Sequence, residues 1–242
     1  MVLTIPIEGI AWTSYTTVED DFIKYLDYVP CTHEHRGVWS PKLANLLLNI
    51  GSLIDSIFRS YLESPTLNSA NNIDEIRNDQ RKQKINGFQK VYDAVHSFSN
   101  RDVYLLSTGE KFIPWSNWQR PDTPPSWWTA YNKVKHDRFR NRTKATLENT
   151  LNALSGLLLI CVLLKEFRPY LVDIGIIKGT GLYEVLVKHL LEQNEPINEE
   201  AHPIIAKSKL FGYIFRSKGH YESQGFAIIS MYYPPIGTTV RP

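Results

Sequence analysis

The chain has 242 residues, a formal net charge of +2, 43% hydrophobic residues and 21% charged residues. This composition excludes a disordered chain and indicates an ordinary globular protein. Because the net charge is so small, any affinity for nucleic acid must come from a local patch. The length suits one large domain, or one domain with a small appendage.

The cysteines and the apolar runs exclude further classes of protein. Two cysteines make no disulfide framework and no zinc set, and Cys161 lies in an apolar run that predicts a small buried side chain. The segment Met1–Glu8 lacks the pattern of a signal peptide. The longest apolar run, Leu157–Leu164, is far below the roughly 18–20 residues that span a bilayer. We therefore expect a cytoplasmic protein with no membrane partner and no cofactor.

The first 62 residues contain one strong helix signal. Residues 1–12 are predicted to be β-rich, with Val2–Ile7 as a candidate strand, and Val18–Tyr28 as a first helix. Ser40 followed by Pro41 is a strong helix start, because serine caps a helix and proline suits its first turn. Apolar residues at helical spacing then extend a long helix to about Leu62.

The middle of the chain is predicted to contain two long helices and a shorter one. Ile73–Phe98 is expected to be the first long helix, weakened by a glycine at residue 87. No regular element fits residues 99–125, which are rich in tryptophan and proline. Ser126 is expected to cap a helix from Trp127 to about Arg138. Thr143–Phe167 is the second long helix, apolar all round in its second half and therefore central.

The C-terminal part suggests a small β appendage. Leu182–Gln193 is predicted to be a short amphipathic helix, and Leu210–Phe215 and Phe226–Tyr233 are predicted to be strands. The predicted fold is mainly α, an antiparallel helical bundle with a small C-terminal β appendage. We predict residues 1–169 as the bundle with an N-terminal extension, and residues 170–242 as the appendage.

The pair Asn132 and His136 is the candidate for chemistry. The two residues are four apart, so on a helix they share one face. A neutral imidazole can take a proton from a ribose 2′-hydroxyl, and its conjugate acid can protonate the leaving 5′-oxygen. The alternative is a surface histidine that hydrogen-bonds to Asn132 or to a neighbouring helix.

A basic run follows this pair. Residues 133–144 contain one acidic residue, Asp137, and six cations: Lys133, Lys135, Arg138, Arg140, Arg142 and Lys144. Such a run suits backbone phosphates, because it creates a focused positive field. The alternative is a solvated connection between two helices.

Two other clusters carry weaker signals. His33 and His35 lie two residues apart in a loop, but no third ligand is evident, and zinc sites need three or four. We therefore predict no metal site. Asp55 lies among apolar residues of the long helix that begins at Ser40. It is either exposed or half-buried beside a partner such as Lys135, Arg138 or Tyr131.

The order of the helices resembles the HEPN superfamily over roughly Ser40–Phe167. These α-helical domains belong to defence and stress-response proteins, and many are metal-independent ribonucleases with an Arg-polar-x-x-x-His signature. Asn132 and His136 match the last two places of that signature, whereas Tyr131 stands at the place of the arginine. The tail after Pro169 is not covered by the resemblance.

The resemblance implies an RNA-directed protein of a bacterial stress or defence system, such as a toxin or an antiviral factor. His136 would be the acid and base of a metal-independent endoribonuclease, Asn132 would orient it, and a homodimer or a heteromeric partner would complete the site. The tryptophans of residues 115–128 would anchor that interface. The alternative, favoured by Tyr131, is a non-catalytic scaffold or interaction module. A third alternative is a small-molecule binder that uses Trp115 and Trp118.

Overall fold

A computed structural model describes residues 6–179 and 204–215 of the chain. Here the protein is mainly helical with a small antiparallel sheet, which confirms the predicted fold class. The chain divides into two compact units. The helical unit comprises Met1–Arg101 and Ile113–Cys161, and the sheet unit comprises Asp102–Phe112 and Val162–Pro242. The domain limits 1–169 and 170–242 stay a prediction.

Two long helices open the helical unit: α1, Ile7–Leu26, and α2, Pro41–Ser60. The start of α2 is confirmed, because Ser40 Oγ accepts a hydrogen bond from Leu43 N at 3.1 Å. The predicted β-rich start of the chain is wrong from residue 7 onward. Buried residues recur at helical spacing from Ala11 to Phe22, and this pattern extends upstream of the predicted start at Val18.

The predicted single helix Ile73–Phe98 is also wrong. The segment forms α3, Ile73–Asn78, and then α4, Ile85–Phe88, a π-helical turn, Gln89–Asp93, and α5, Ala94–His96. Gly87 explains part of the break. A Cβ at this position would collide with the carbonyl oxygen of Lys82, so the chain between α3 and α4 packs where only glycine leaves room.

The helix that carries Asn132 and His136 is α6, Ser126–His136. Its predicted extent is nearly right, but Ser126 is not its cap. Pro125 occupies the N-cap position and no side chain caps the helix. The final residues of the predicted helix, up to Arg138, form a turn instead.

An aromatic cluster forms the core of the helical unit. The ring of Phe58 on α2 lies 4.4–6.3 Å, centroid to centroid, from five rings: Phe88, Tyr92, Phe98, Trp115 and Trp118. The indole of Trp115 donates to the carbonyl oxygen of Gly156 at 3.2 Å, and that of Trp127 donates to Pro114 at 2.8 Å. The tryptophans of residues 115–127 are therefore part of the interior of the helical unit.

The long apolar helix is α7, Leu147–Leu163, shorter than the predicted Thr143–Phe167. At both ends the chain turns into short 3-10 helices, Arg142–Lys144 and Lys165–Phe167. Every residue from Ala153 to Leu164 is buried, as predicted for a central helix. No single helix of the described chain is long and apolar enough to cross a membrane. One pair of consecutive helical segments, Leu147–Leu163 and Lys165–Asp173, is together long and apolar enough for a membrane span, but the two segments meet at an angle of 74°.

The sheet unit contains a short helix, α8, Arg168–Asp173, and five strands in the order β2-β1-β5-β4-β3. The strands are β1 Val103–Leu105, β2 Lys111–Phe112, β3 Ile177–Gly179, β4 Ile204–Lys207 and β5 Phe211–Phe215. All pairs are antiparallel. β5 confirms one predicted strand, whereas β1 and β2 occupy a stretch in which we expected no regular element. The predicted elements Leu182–Gln193 and Phe226–Tyr233, and all of Val2–Ile7 except its last two residues, lie outside the described residues.

Candidate functional site

The inner face of α6 is fixed in the core of the helical unit. Trp127, Tyr131 and Val134 are at most 3% exposed, as expected for the face that docks on the core. A Cβ at Gly51 of α2 would overlap the ring of Tyr131, so the two helices meet where that glycine leaves space. The place at which the HEPN signature has an arginine is therefore a buried packing position in this chain.

The outer face of α6 carries the candidate pair. Asn132 is half-buried and His136, the last residue of the helix, is exposed. Neither side chain makes a hydrogen bond or an ion pair within residues 6–179 and 204–215. The alternative of a histidine bonded to Asn132 or to a neighbouring helix is thus not what the structure contains. Both side chains are open to a ligand.

An ordered turn follows α6. Asn141 Nδ2 donates to the carbonyl oxygens of Lys133 and Asp137 at 3.1 and 2.9 Å, which ties the turn to the end of the helix. Asp137 Oδ1 accepts from Arg140 N at 3.1 Å, and Asn141 N donates to Asp137 O at 3.0 Å. We call residues Asp137–Asn141 the basic turn.

The basic turn is anchored to the start of α2. Arg138 Nη2 donates to the carbonyl oxygen of Pro41 at 3.2 Å and to Asn45 Oδ1 at 2.5 Å. Downstream of the turn, Trp39 and Thr146 form an isolated antiparallel bridge, and Leu147 N donates to Val38 O at 2.8 Å. These contacts hold residues 133–147 against α2, so the cations stand on a fixed scaffold.

Three of the six predicted cations are committed in part to the protein itself. Arg138 is half-buried by its bonds to α2. Arg140 is 89% exposed and pairs with Asp137 at 3.4 Å. Arg142 donates to Phe139 O at 2.8 Å, and its guanidinium lies 5.6 Å from the ring centroid of Trp39.

The three lysines of the run are all exposed. The ammonium of Lys135 lies 5.4 Å from the ring centroid of Tyr131. Lys133 and Lys144 have no ion-pair partner in the described part of the chain. Five of the six cations are thus exposed, and Arg138 is the residue that the sequence assigned to RNA but the structure uses mainly to anchor the turn.

A second basic surface lies on the other side of Asn132. A groove of about 450 Å³ is lined by Asn132 and Trp128 of α6, by residues of α3, α4 and the chain between them, and by the π-helical turn after α4. Its lining includes four cations: Arg81, Lys82, Lys84 and Lys90. Its volume is within the range of ligand sites, about 300–1,000 Å³. Sequence reasoning missed this groove. Its only signal was the charged stretch Asp74–Lys84, which we assigned to a helix.

Carboxylates accompany three of these four cations. Lys82 pairs with Glu75, Arg81 with Asp79 at 3.0 Å, and Lys90 with Asp122 at 3.6 Å. The Arg81 guanidinium holds the pKa of the Asp79 carboxyl below its usual value. Lys84 has no ion-pair partner among residues 6–179 and 204–215. The groove is therefore less basic than its cations alone suggest, whereas in the 133–144 run only Arg140 pairs with a carboxylate among the described residues.

The aromatic segment does not form the open site or the interface that the sequence suggested. Trp115 is fully buried, and Trp118 is 3% exposed at the edge of a smaller groove of about 300 Å³. Trp127 and Trp128 are 1% and 6% exposed. These rings are already covered by their own unit, so the expectation that they anchor a partner chain is wrong.

The remaining candidates stay outside the site. Asp55 pairs with Arg59 of its own helix at 2.8 Å, and not with Lys135, Arg138 or Tyr131. His33 is exposed and the His35 ring bonds to Thr32 Oγ1 at 2.8 Å. Within residues 6–179 and 204–215, no group of three or more His, Cys, Asp and Glu side chains is placed to hold a metal ion.

Cys161 is fully buried, as expected, and burial raises the pKa of its thiol. Because the thiolate is the reactive form, this cysteine is an inert core residue.

Comparisons with family models, with curated proteins and with solved structures found no match for the chain.

Proposed function

We propose that this protein is a HEPN-like, RNA-directed protein of a bacterial stress or defence system, acting in the cytoplasm, where its RNA target would be. One observation carries the proposal. The exposed cations of residues 133–144 stand on an ordered turn and a helix end, anchored to α2, with a single carboxylate in the run. A solvated connection between helices needs no such anchoring.

The chemistry of these cations fits a phosphate backbone. Lysine and arginine that neutralise phosphates release the condensed counterions of the nucleic acid, which favours binding. The exposed Arg140 and Arg142 can also make paired hydrogen bonds to one phosphate. Because the net charge of the chain is only +2, a nucleic acid would be drawn to this face and not to the protein as a whole.

Cleavage of the bound RNA is the second candidate function, and the exposure of His136 favours it. The imidazole would take the proton of a ribose 2′-hydroxyl, and the 2′-oxygen would attack the adjacent phosphorus. The bond to the 5′-oxygen would break as the imidazolium returns a proton to it, leaving a 2′,3′-cyclic phosphate. Asn132, one helical turn away, would orient the substrate. Lys135, beside Tyr131, would supply the cation that the signature places at residue 131.

The third candidate is a non-catalytic scaffold, and the burial of Tyr131 favours it. Tyr131, at the place of the signature arginine, packs in the core, so this position supplies no cation to a substrate. In either HEPN-like role a second copy or another protein would complete the site, with the exposed face of α6 and the basic turn directed toward it.

A single assay separates the three functions. Wild-type protein is titrated into labelled RNA in the presence of a metal chelator, and binding and chain length are measured on the same samples. RNA that is bound and cut supports the nuclease, with a cyclic phosphate on the product. RNA that is bound and intact supports an RNA-binding module. RNA that stays free at low salt contradicts the proposal and favours the scaffold.

A further inference from the structure

Two exposed aromatic rings lie beside the cations of the basic turn. The side chain of Phe139, within the turn, is 85% exposed, and that of Trp39, just before α2, is 39% exposed. The other tryptophans of the helical unit are at most 6% exposed. Sequence reasoning assigned no role to either residue, because about 100 positions separate them along the chain.

One arginine contacts the backbone of Phe139 and the ring of Trp39. Arg142 Nη1 donates to the carbonyl oxygen of Phe139 at 2.8 Å, and the same guanidinium lies 5.6 Å from the centroid of the Trp39 ring. Both aromatic residues are therefore within reach of a single side chain. A charged planar group thus lies against an exposed aromatic ring, in the middle of the cationic run.

The backbone of both residues is held in place. Phe139 belongs to the turn that Asp137 and Asn141 close, and the backbone of Trp39 is fixed by its bridge to Thr146. An ordered backbone reduces the freedom that the chain loses when the rings bind a ligand, which favours affinity.

Exposed aromatic rings among cations are what proteins use to bind single-stranded nucleic acid. The cations follow the backbone, and successive unpaired bases stack on the rings. A duplex keeps its bases stacked on one another, so the same rings find no base face there. A protein partner is the other ligand that exposed rings fit, but the neighbouring Arg140, Arg142 and Lys144 favour a polyanion.

We propose that Phe139 and Trp39 stack on unpaired bases, so that the basic turn takes single-stranded RNA and discriminates against duplex RNA. This inference rests on the proposed RNA-directed function and names its substrate class. Base stacking tolerates any sequence, because every base has a flat face, so the site would read strandedness and not sequence.

The test uses three fluorescein-labelled RNA ligands of equal length: a single strand, an abasic strand with the same phosphates, and a duplex. We expect fluorescence anisotropy to give wild-type binding to the single strand about 10-fold tighter than to the abasic strand, with the duplex weaker as well. Phe139→Ala should weaken this preference, Phe139→Ala/Trp39→Ala should remove it, and both variants should keep the abasic affinity of the wild type. Trp39→Phe should keep the preference, because a ring remains.

Tyr28→Ala is the matched control, because Tyr28 is 86% exposed and lies outside the basic turn. This variant should bind all three RNAs as the wild type does. Equal affinity of the wild type for the single and abasic strands, or a full preference that survives in Phe139→Ala/Trp39→Ala, would overturn the stacking proposal while leaving RNA binding intact. Failure to bind any RNA would contradict the proposed function itself. If Phe139→Ala instead dissociates a dimer in sedimentation without changing RNA affinity, the rings form a protein interface and the proposal is wrong.

Discussion

Gly51 of α2 leaves the space that the ring of Tyr131 of α6 fills, since a Cβ at residue 51 would overlap three carbons of that ring. This contact sets how closely the two helices approach. It also determines which side of α6 faces the solvent, and so which of its residues can meet a ligand. The exposure of His136 and Lys135 thus depends on a glycine about 80 residues upstream.

Gly51→Ala should destabilise the protein. Alanine has a helix propensity that is better by about 1 kcal/mol, but overpacking a buried site costs about 1–3 kcal/mol and the tyrosine ring cannot move outward without moving α6. We expect a net loss of up to about 2 kcal/mol in the free energy of unfolding in urea. Gly37→Ala is the control, because a Cβ there has nothing within 4 Å. Equal stability of the two variants would contradict the packing argument.

Substitutions of Tyr131 test whether the arginine place can be restored. Its hydroxyl has no hydrogen-bond partner among the described residues, so Tyr131→Phe should change stability by less than about 0.5 kcal/mol. Tyr131→Arg should cost more than about 3 kcal/mol, because it places an unpaired guanidinium in the core. Thermal melts of both variants check this. A stable Tyr131→Arg protein with new RNA cleavage would show that the place is accessible after all.

The sequence predicted the elements whose signals are local. Ser40 and Pro41 announce α2, and the apolar stripe that follows is periodic over its full length. The segment after Ile73 has an equally helical pattern. Its helix is nevertheless interrupted, and the backbone of Lys82 packs against Gly87, where a Cβ would collide with it. That contact depends on how the chain folds back, which no local pattern encodes. The strand β1 was missed for a similar reason, since one of its two neighbours, β5, comes from residues about 100 positions away.

The candidate site likewise has a part that the local sequence predicted and a part that depends on long-range packing. The pair Asn132 and His136 and the basic run are adjacent in sequence, so their spacing predicted one surface. Trp39 joins that surface through its bridge to Thr146 and its contact with Arg142. The groove beside Asn132 brings in Lys84 and Lys90 through packing of another segment against α6. Such long-range partners appear only in the folded chain.

His136→Ala should leave the fold intact. The side chain is exposed and makes no hydrogen bond in the described part of the chain, and such surface substitutions usually change stability by less than about 0.5 kcal/mol. If the protein cuts RNA, this variant should lose cleavage and keep wild-type affinity, because one imidazole is a small part of the basic surface. Undiminished cleavage by His136→Ala would exclude it as the acid and base.

Asp93 gives a pH-dependent prediction. Burial raises the pKa of its carboxyl, against the opposing effect of hydrogen bonds from Ser99, one of them from Ser99 N to Asp93 Oδ1 at 2.7 Å. A raised folded-state pKa means that the protonated form suits the folded state, so stability from this group is present at low pH and lost as pH rises through that pKa. Asp93→Asn keeps the acceptor without the charge.

The melting temperature of Asp93→Asn should therefore exceed that of the wild type at neutral pH. The difference should shrink as the pH falls and vanish below the usual value of 3.8, where the wild-type carboxyl is neutral in both states. Thermal melts across this range test the sign. A variant that is less stable than the wild type at neutral pH would mean that the charged carboxylate is favoured by its bonds to Ser99.

The salt dependence of RNA binding tests the central claim most directly. The affinity of the wild type for a single-stranded RNA is compared with that of Arg140→Ala/Lys144→Ala, which removes two exposed cations, and with that of Lys24→Ala/Lys178→Ala, which removes two exposed lysines outside the basic run. If each removed cation ends one phosphate contact, the negative slope of log K against log salt should become shallower by about 1.4 for the first variant. The control should keep the wild-type slope. Identical slopes for all three proteins would contradict RNA binding at residues 133–144.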